Sequence, residues 1–456
     1  MNGVELNLSN ITSTEMMSLE HPEVSSMYQI LFGAEEIEST NERGERSSEQ
    51  LEDILSPYEI DRYKTIFRTR QQVVVKPTSI DKDIYQYDLN MSRSKKSEHV
   101  MDLASKIFLH DTIPAVKVKE EFVNNTQICH CHYPGHVKID NAHLYHGSDL
   151  AGNLDNVTLD QYAQFSIPEN RRSFYRRMVG DIDEYTTWGR DFPSFTVSVP
   201  QPWYFCTIPG AELRLNSKTQ TRLTYVYRGD PTATLRMRIR DDENAEYKEV
   251  NIEDYLDRII IQPVSNKKSS LELHMVLHKC QKDYVTQLEK SEIKIPTEDV
   301  IILDSTGDNN SHTIAIDTFD FIRRICILVE PKALPNKSIY NDAIVSGKLE
   351  YKGGLKKIPE FSPAKLLYDD IWSSSYSLPD RQEFYMHTIS DHNKPGLYDA
   401  AMSLGSTGSK LTIVLNKSNI YDIRVRLYVY RIITYVDGEI RVITSLNSKE
   451  FTSKEE

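Results

Sequence analysis

Short runs in which apolar and polar residues alternate dominate the chain from about residue 63 onward. Alternation with a period of two is typical of β-strands that bury one face. Clusters of Gly, Pro, Asn and Asp separate the runs and indicate turns. The pattern predicts strands at Thr65–Phe67, Gln72–Lys76, Ile84–Leu89, Asp111–Val118, Val137–Tyr145, Phe195–Pro200, Leu213–Leu215, Leu223–Tyr227, Ala233–Arg240, Leu271–Leu277, Ile301–Leu303, His312–Ile316, Ile325–Val329, Lys410–Leu415, Ile423–Tyr430 and Ile440–Thr444.

The most informative stretch runs from Phe195 to Asp230. An alternating strand at its start leads into the aromatic block Trp203-Tyr204-Phe205, and a β-branched and aromatic strand ends it. No helical period occurs in this stretch. Because the aromatic block is too large to sit in water, we expect it to plug one end of a β-sandwich.

One island with a helical period interrupts the strands. Leu159, Tyr162 and Phe165 share one face of a first helix, and a second helix is predicted from Pro168 to Met178. The second helix carries four arginines that could suggest a phosphate site. We expect instead a solvated face or ion pairs between subunits. These arginines are Arg171, Arg172, Arg176 and Arg177.

The strands fall into two groups of about eight, the number in one jelly roll. The sequence therefore predicts an all-β chain of two tandem eight-stranded jelly-roll β-sandwiches with short connecting helices, at residues 55–242 and 243–446. An acidic, Ser-rich arm precedes them at residues 1–54, and a C-terminal tail follows at residues 447–456. The composition of the arm favours a flexible segment over one that orders against a neighbouring subunit.

Composition narrows the range of functions. The chain has 456 residues, 39% of them hydrophobic, and a formal net charge of −13, which disfavours a dedicated nucleic-acid binder. Its five cysteines make a poor disulfide framework and indicate a reducing compartment. We find no secretory signal and no run of apolar residues long enough to cross a membrane.

One dense cluster of potential metal ligands occurs, Cys129-His130-Cys131-His132, followed by three more histidines at positions 136, 143 and 146. Its Cys-x-Cys spacing is not that of a zinc knuckle, and neighbouring residues of a strand point to opposite faces. His130 and His132 could also suggest a cupin-type metalloenzyme, but the Glu expected after them is absent. No nucleophile elbow and no phosphate-binding loop are present. We therefore predict no catalytic, cofactor-binding or metal-binding residues.

The three tryptophans, Trp188, Trp203 and Trp372, are scattered along the chain. Surface tryptophans bind sugars in lectin jelly rolls, but scattered ones are more typical of cores or interfaces. A jelly-roll carbohydrate-binding protein or metalloenzyme therefore stays the alternative from a different functional class.

Several segments in a fixed order carry a family resemblance over about residues 58–446. No single segment is specific, and the resemblance depends on their order and spacing. They are Phe67–Val75, Gly135–Ile139 with Gly147, Leu159–Tyr162, Pro168–Gly180, Val199–Phe205, and, in the second half, Leu273–Val276, Phe319–Glu330 and Ile423–Ile443. With them the chain resembles the double jelly-roll major capsid proteins of the nucleocytoplasmic large DNA viruses and their relatives. It departs from the family at the aromatic block, which we call the aromatic corner. Family members often have Phe-Phe-Phe there, whereas this chain has Trp203-Tyr204-Phe205.

The resemblance implies a structural role in the virion, without catalysis. Two like sandwiches taken three times around an axis give six walls and a near-hexagonal outline. A homotrimeric, pseudo-hexagonal capsomer would then tile an icosahedral shell assembled in the infected host cell. The implied partners are neighbouring capsomers, minor capsid proteins and an inner membrane beneath the shell, with no specific nucleic acid. A minor capsid or scaffold paralogue is the alternative within this class.

Overall fold

A computed structural model describes most of the chain beyond residue 66. The predicted arm at residues 1–54 and the predicted tail at residues 447–456 lie outside the described residues. The described residues are 67–90, 101–208, 211–215, 217–262, 271–280, 292–305, 309–318, 320–331, 343–350, 361–374, 376–381, 383–388, 402–403, 409–416 and 421–444.

The first half of the chain supplies two antiparallel sheets that share one core. Sixteen strands are described up to residue 280: β1 (Phe67–Val75), β2 (Ser79–Asp81), β3 (Ile84–Asp88), β4 (Met101–Ile113), β5 (Val116–Val118), β6 (Thr126–His130), β7 (Ile139–His146), β8 (Asp149–Leu154), β9 (Asp191–Phe192), β10 (Phe195–Pro200), β11 (Leu213–Arg214), β12 (Thr221–Tyr227), β13 (Leu235–Ile239), β14 (Lys248–Val250), β15 (Ile259–Ile261) and β16 (Glu272–Cys280).

One sheet of the first sandwich has the order β1-β16-β4-β10, with β11 on β4, and the other has the order β2-β3-β12-β7-β8. Alternate residues of both sheets enter the same core, among them Leu109 and Leu273 from the first sheet and Tyr87, Leu144 and Leu223 from the second. The alternation seen in the sequence is therefore the alternation of core-facing and outward side chains.

Two small sheets, β14-β13-β6 and β15-β5-β9, flank the first sandwich. They have a core of their own, in which Ile128, Phe192 and Met237 are buried. The predicted strand Ala233–Arg240 is confirmed over Leu235–Ile239, and residues before it form a short helical turn.

The second half forms a second sandwich. Nine strands are described there: β17 (Ile293–Ser305), β18 (Ser311–Ile316), β19 (Phe321–Pro331), β20 (Ile344–Glu350), β21 (Phe384–Thr388), β22 (Met402–Ser403), β23 (Ser409–Leu415), β24 (Tyr421–Val436) and β25 (Glu439–Ile443). The order is β17-β24-β19-β21 in one sheet, with β25 on β24 and β22 on β19, and β18-β23-β20 in the other. Ile327, Leu411 and Val425 are buried in the core that the two sheets share.

Strand β16 follows the domain boundary predicted at residues 242 and 243, yet it pairs with strands that precede this boundary. It pairs with β1 and β4, so Leu273–Val276, which we expected in the second sandwich, lies in a sheet of the first half. An alternating pattern identifies a strand but not the strands beside it, which explains the difference. The boundary itself stays a prediction.

Strand β24 is the longest of the described strands, with 16 residues, and contributes to both cores. Val425 and Leu427 are buried in the second sandwich, whereas Ile433 and Tyr435 are buried in the core of the first. The turn after it contains Asp437 and Gly438, and both residues have the positive φ (50° and 78°) that a tight hairpin requires. Strands β24 and β25 pair on either side of this turn.

Helical segments are short and lie between strands. None of the described helices is long and apolar enough to cross a membrane. The α-helical segments are Pro134–Val137, Asn156–Gln161, Glu169–Met178, Asp183–Thr186, Tyr204–Thr207 and Asp370–Ser373. π-Helical turns occupy Tyr162–Ser166 and Lys365–Asp369, and 3-10 turns occupy Glu120–Phe122, Pro231–Thr234 and Ile252–Arg258.

Candidate functional site at the junction of the two sandwiches

The predicted helical island connects the first sandwich to the second. It begins at Asp155, whose carboxylate accepts hydrogen bonds from the Thr158 amide at 2.8 Å and the Thr158 hydroxyl at 2.6 Å. This is the arrangement of a helix N-cap, which satisfies an amide that has no partner within the first turn. Asp155 is therefore fixed in position by the helix that it starts.

The same carboxylate binds Arg426 of β24. Arg426 Nε donates to Asp155 Oδ1 at 3.2 Å, Nη2 donates to Asp155 Oδ2, and Nη1 donates to Asp304 Oδ1 at 2.7 Å. Arg426 is only 1% exposed. Burial lowers the pKa of Arg426, but the two carboxylates more than offset this and raise it above its ordinary value. A buried pair of this kind is costly to break because the remaining charge has no water.

The second part of the island binds the backbone of residues 377–381. Gln164 Oε1 accepts from the amides of Asp380 at 2.8 Å and Arg381 at 3.2 Å, and its Nε2 donates to the Tyr133 hydroxyl at 2.6 Å. Arg172 Nη2 donates to the Leu378 carbonyl at 2.8 Å and to the Gln164 carbonyl at 2.9 Å. These contacts favour one position of that loop, because Gln164 Oε1 binds two neighbouring amides of the loop while Arg172 Nη2 binds its Leu378 carbonyl.

A second polar cluster forms around Glu298 of β17. A bulge in β19 breaks the register between Ile322 and Arg324, so that two consecutive arginines reach one carboxylate. Arg323 Nη1 donates to Glu298 Oε1 at 2.6 Å, and Arg324 Nη2 donates to Glu298 Oε2 at 3.0 Å. Without the bulge, neighbouring residues of the strand would point to opposite faces.

Asp299, the next residue, joins the two sandwiches directly. Its Oδ1 accepts from the Asn153 amide of β8 at 2.9 Å, and its Oδ2 lies 3.4 Å from Arg431 Nη2. Arg431 also pairs with Asp320 at 2.7 Å. Burial raises the pKa of Asp299, while the Arg431 guanidinium acts in the opposite direction.

An apolar contact completes the junction. The core of the first sandwich includes Ile295, Ile433 and Val442 of the second half. Within it the Tyr204 hydroxyl lies 3.0 Å from the Tyr435 hydroxyl and 3.0 Å from His146 Nε2. The burial of apolar groups from both halves in one cluster stabilises their association in addition to these hydrogen bonds.

The aromatic corner lies inside the first sandwich, as predicted. Trp203, Tyr204, Phe205 and Cys206 are all buried, and Trp203 is 2% exposed. The corner differs from the prediction in one respect, because Tyr204–Thr207 forms a single helical turn. One turn is too short to show a period in the sequence, so pattern analysis could not find it.

The predicted cysteine and histidine cluster is dispersed. His130 Nδ1 lies 3.2 Å from the Thr234 hydroxyl, His132 Nδ1 2.8 Å from Asp181, and His136 Nδ1 2.6 Å from Asp160. Burial raises the pKa of the Cys129 thiol to about 12, which makes it a poor metal ligand. No group of three or more His, Cys, Asp or Glu in the described part of the chain could hold a metal ion.

The four arginines of the helix at Glu169–Met178 differ in their exposure to solvent. Arg171 and Arg177 are exposed, as predicted for a solvated face. Arg172 is buried against the second sandwich, which contradicts the prediction, whereas Arg176 is partly exposed and donates to Asp181 at 2.8 Å. The junction residues Asp155, Glu298 and Arg426 were missed by sequence reasoning.

Comparisons with known proteins support the fold. No protein-family model matches the chain, and no curated protein matches it in sequence. Among solved structures it is similar to PBCV-1 VP54, with 11% identity and a TM-score of 0.59 over 83% of this chain and 97% of that one. The Faustovirus major capsid protein gives 8% identity and a TM-score of 0.59 over 83% of this chain and 94% of that one.

A chain of the Sputnik virophage structure gives 10% identity and a TM-score of 0.53, over 84% of this chain and 90% of that chain. These alignments cover nearly the whole length of the known chains. The chain therefore has the double jelly-roll fold of viral major capsid proteins, as the sequence predicted.

Proposed function

We propose that this chain is a structural capsid protein, three copies of which form a pseudo-hexagonal capsomer of an icosahedral shell. The observation that carries the proposal is the double jelly-roll fold, which this chain has in common with major capsid proteins along 83% of its length. Three chains of two sandwiches supply six similar walls around a threefold axis. The role needs no catalytic residue, cofactor or metal.

The junction supports this role physically. A capsomer with six equivalent walls needs the two sandwiches of each chain in one fixed orientation. The Asp155–Arg426 pair, the Gln164 contacts to the 377–381 backbone and the contribution of β24 to both cores all favour a single orientation. Because closely packed interfaces tolerate little continuous deformation, the pair of sandwiches behaves as one block.

The proposal includes a division of the chain into domains. We propose the division predicted from the sequence, with a first jelly roll at residues 55–242 and a second at residues 243–446, where β16 of the second segment pairs with strands of the first. We assign residues 1–54 to a flexible acidic arm that takes part in the assembly of shells, and residues 447–456 to a C-terminal tail. Deleting residues 1–50 should then leave the trimer intact and impair the formation of shells, and unaltered shells would contradict this assignment.

The proposed partners are two further copies of the chain, neighbouring capsomers, minor capsid proteins and an inner membrane beneath the shell. The proposed location is the virion, after assembly in the infected cell. A negative net charge of −13 suits a shell protein that does not hold nucleic acid by a basic face.

The mass of the purified chain in solution tests the proposal. Light scattering after size exclusion should give three times 52.7 kDa, with no dependence on added metal or sugar. A monomer or dimer whose melting temperature rises with a metal ion or a glycan would instead support the carbohydrate-binding or metalloenzyme alternative.

A further inference from the structure

The two sandwiches repeat one strand order. In the sheets β1-β16-β4-β10 and β17-β24-β19-β21, strands at equal places come at equal points of their half of the chain, and β3-β12-β7 corresponds to β18-β23-β20 in the same way. A helical segment precedes the last strand of each first-named sheet. It is the helical island at residues 156–178 before β10, and a second helical segment at residues 365–373 before β21.

The helical island of the first sandwich is covered by the second sandwich of the same chain. Val157 and Phe165 are buried in one cluster with Leu328 of β19 and Tyr428 of β24, and the Phe165 and Phe384 ring centres lie 6.3 Å apart. These strand residues lie on the face of sheet β17-β24-β19-β21 that points away from its own core. Within a chain, the helical island of one sandwich therefore packs on the outward sheet face of the next.

The second helical segment has no such cover on its outer side. Leu366 and Ile371 are buried in their own sandwich, whereas Tyr368 is 53% exposed and Trp372 is 80% exposed. The two aromatic residues are four positions apart and so lie on one side of the segment. Neighbouring exposed aromatic side chains, unlike scattered ones, are typical of a surface that contacts another protein.

The first sandwich has the corresponding sheet face, and it is open to solvent. Val74 of β1, His274 of β16 and Phe108 of β4 are paired side by side across sheet β1-β16-β4-β10. Their neighbours Leu109 and Leu273 enter the core, so the row of three lies on the outward face. Val74 is 53% exposed, and the other two are partly exposed. The face is therefore accessible and largely apolar along this row.

We propose that Tyr368 and Trp372 of one copy pack on the outward face of sheet β1-β16-β4-β10 of a second copy. The contact between copies then repeats the contact within a chain. Each copy has a helical segment to give and a sheet face to receive, so the contacts run head to tail and close into a ring. Three chains make six such contacts, three within chains and three between them. The inference rests on the proposed trimer and specifies the surfaces that form it.

Sedimentation velocity of the full-length protein over a range of concentrations tests the proposal. Loss of a tryptophan at the centre of an interface weakens each contact about thirtyfold, so Trp372→Ala should form monomers at concentrations where the original protein is a trimer. Val74→Glu places a charge in the receiving face and should have the same effect. Both residues are exposed in a single chain, so circular dichroism should show unchanged secondary structure.

Two exposed residues outside the proposed surfaces serve as matched controls. Phe174→Ala removes an aromatic side chain from the helical island, which already has its partner within the chain. Ile80→Glu places a charge on β2, in the other sheet of the first sandwich. Both variants should sediment as trimers at the concentrations at which the original protein does.

A Trp372→Ala protein that dissociates at the same concentration as the original would overturn the proposal. A Val74→Glu protein that is as trimeric as Ile80→Glu would overturn it as well, because the receiving face would then lie elsewhere. If Trp372→Ala does not fold, Tyr368→Ala takes its place with the same expected result. Variants that stay trimeric contradict these surfaces alone, whereas an original protein that is monomeric throughout contradicts the proposed trimer itself.

Discussion

Asp155 has two roles, as the N-cap of the helical island and as the partner of Arg426 in an ion pair. The substitution Asp155→Asn distinguishes between them. Asparagine caps helices about as well as aspartate, so the hydrogen bond to the Thr158 amide should survive. The negative charge opposite Arg426 is lost. Any large loss of stability must therefore come from the ion pair at the junction rather than from the helix.

The expected loss is about 3 kcal/mol. Removing one partner of a buried ion pair costs about 3–5 kcal/mol, because the other charge is left without water. Arg426 keeps the hydrogen bonds that its Nη1 donates to the Val425 carbonyl and to Asp304, whose side chain is 33% exposed, and this favours the lower end of the range. Asp155→Ala should cost about 1 kcal/mol more, since it also removes the cap.

Chemical denaturation followed by tryptophan fluorescence measures the loss, and hydrogen exchange locates it. Exchange should increase both in the helix at residues 156–161 and in β24, since the pair joins them. The control is Asp140→Asn, which removes a partner of Arg228 in a pair whose side chains are 47% and 45% exposed. Exposed pairs contribute about 0–1 kcal/mol, so this variant should resemble the original protein.

An Asp155→Asn variant that loses less than about 1 kcal/mol, or no more than Asp140→Asn, would refute this reasoning. Increased exchange confined to the helix would show that the residue acts only as a cap.

Three further predictions concern the first half of the chain. Trp203→Ala should cost about 3–5 kcal/mol because the side chain is 2% exposed, and a denaturation midpoint that corresponds to less than about 1 kcal/mol would contradict its role in the core. Burial lowers the pKa of His130 to about 4 from an ordinary 6.5. As the pH falls, His130 is therefore protonated at a higher pH in the unfolded chain than in the folded chain. Stability should therefore decrease between pH 6.5 and 4 by about 1.4 kcal/mol per pH unit for this group, and His130→Phe should remove that part of the slope in urea titrations at pH 7, 6 and 5. Gly180→Ala should lower the melting temperature, since φ is +84° and the new Cβ would lie 2.8 Å from Phe195 Cε2; an unchanged value would show that the turn relaxes at no cost.

Strands were predictable because burial of one face leaves a trace at every second residue. The runs Phe195–Pro200 and Leu223–Tyr227 are strands of the first sandwich with alternate residues buried. The helix predicted from Pro168 to Met178 is confirmed over Glu169–Met178, because Pro168 starts it and Gly180 ends it. These signals are local, and a single sequence contains them in full.

The junction was not predictable because its contacts join residues far apart in the chain. Asp155 and Arg426 are 271 positions apart, and nothing local relates them. Two weaker signals were present. Arg323 and Arg324 stand together between apolar residues of a strand, which indicates a bulge or a buried pair, and Asp155 precedes Thr158 at capping distance. Neither signal identifies the partner, which depends on how the sandwiches pack.

Single-particle cryo-electron microscopy of the purified oligomer tests the central claim most directly, because it shows both the symmetry and the number of sandwiches. The account predicts a threefold particle with six sandwich-shaped densities around the axis, two from each chain in one fixed relative orientation. A twofold particle, a monomer, or a trimer whose second sandwich takes several orientations would contradict it.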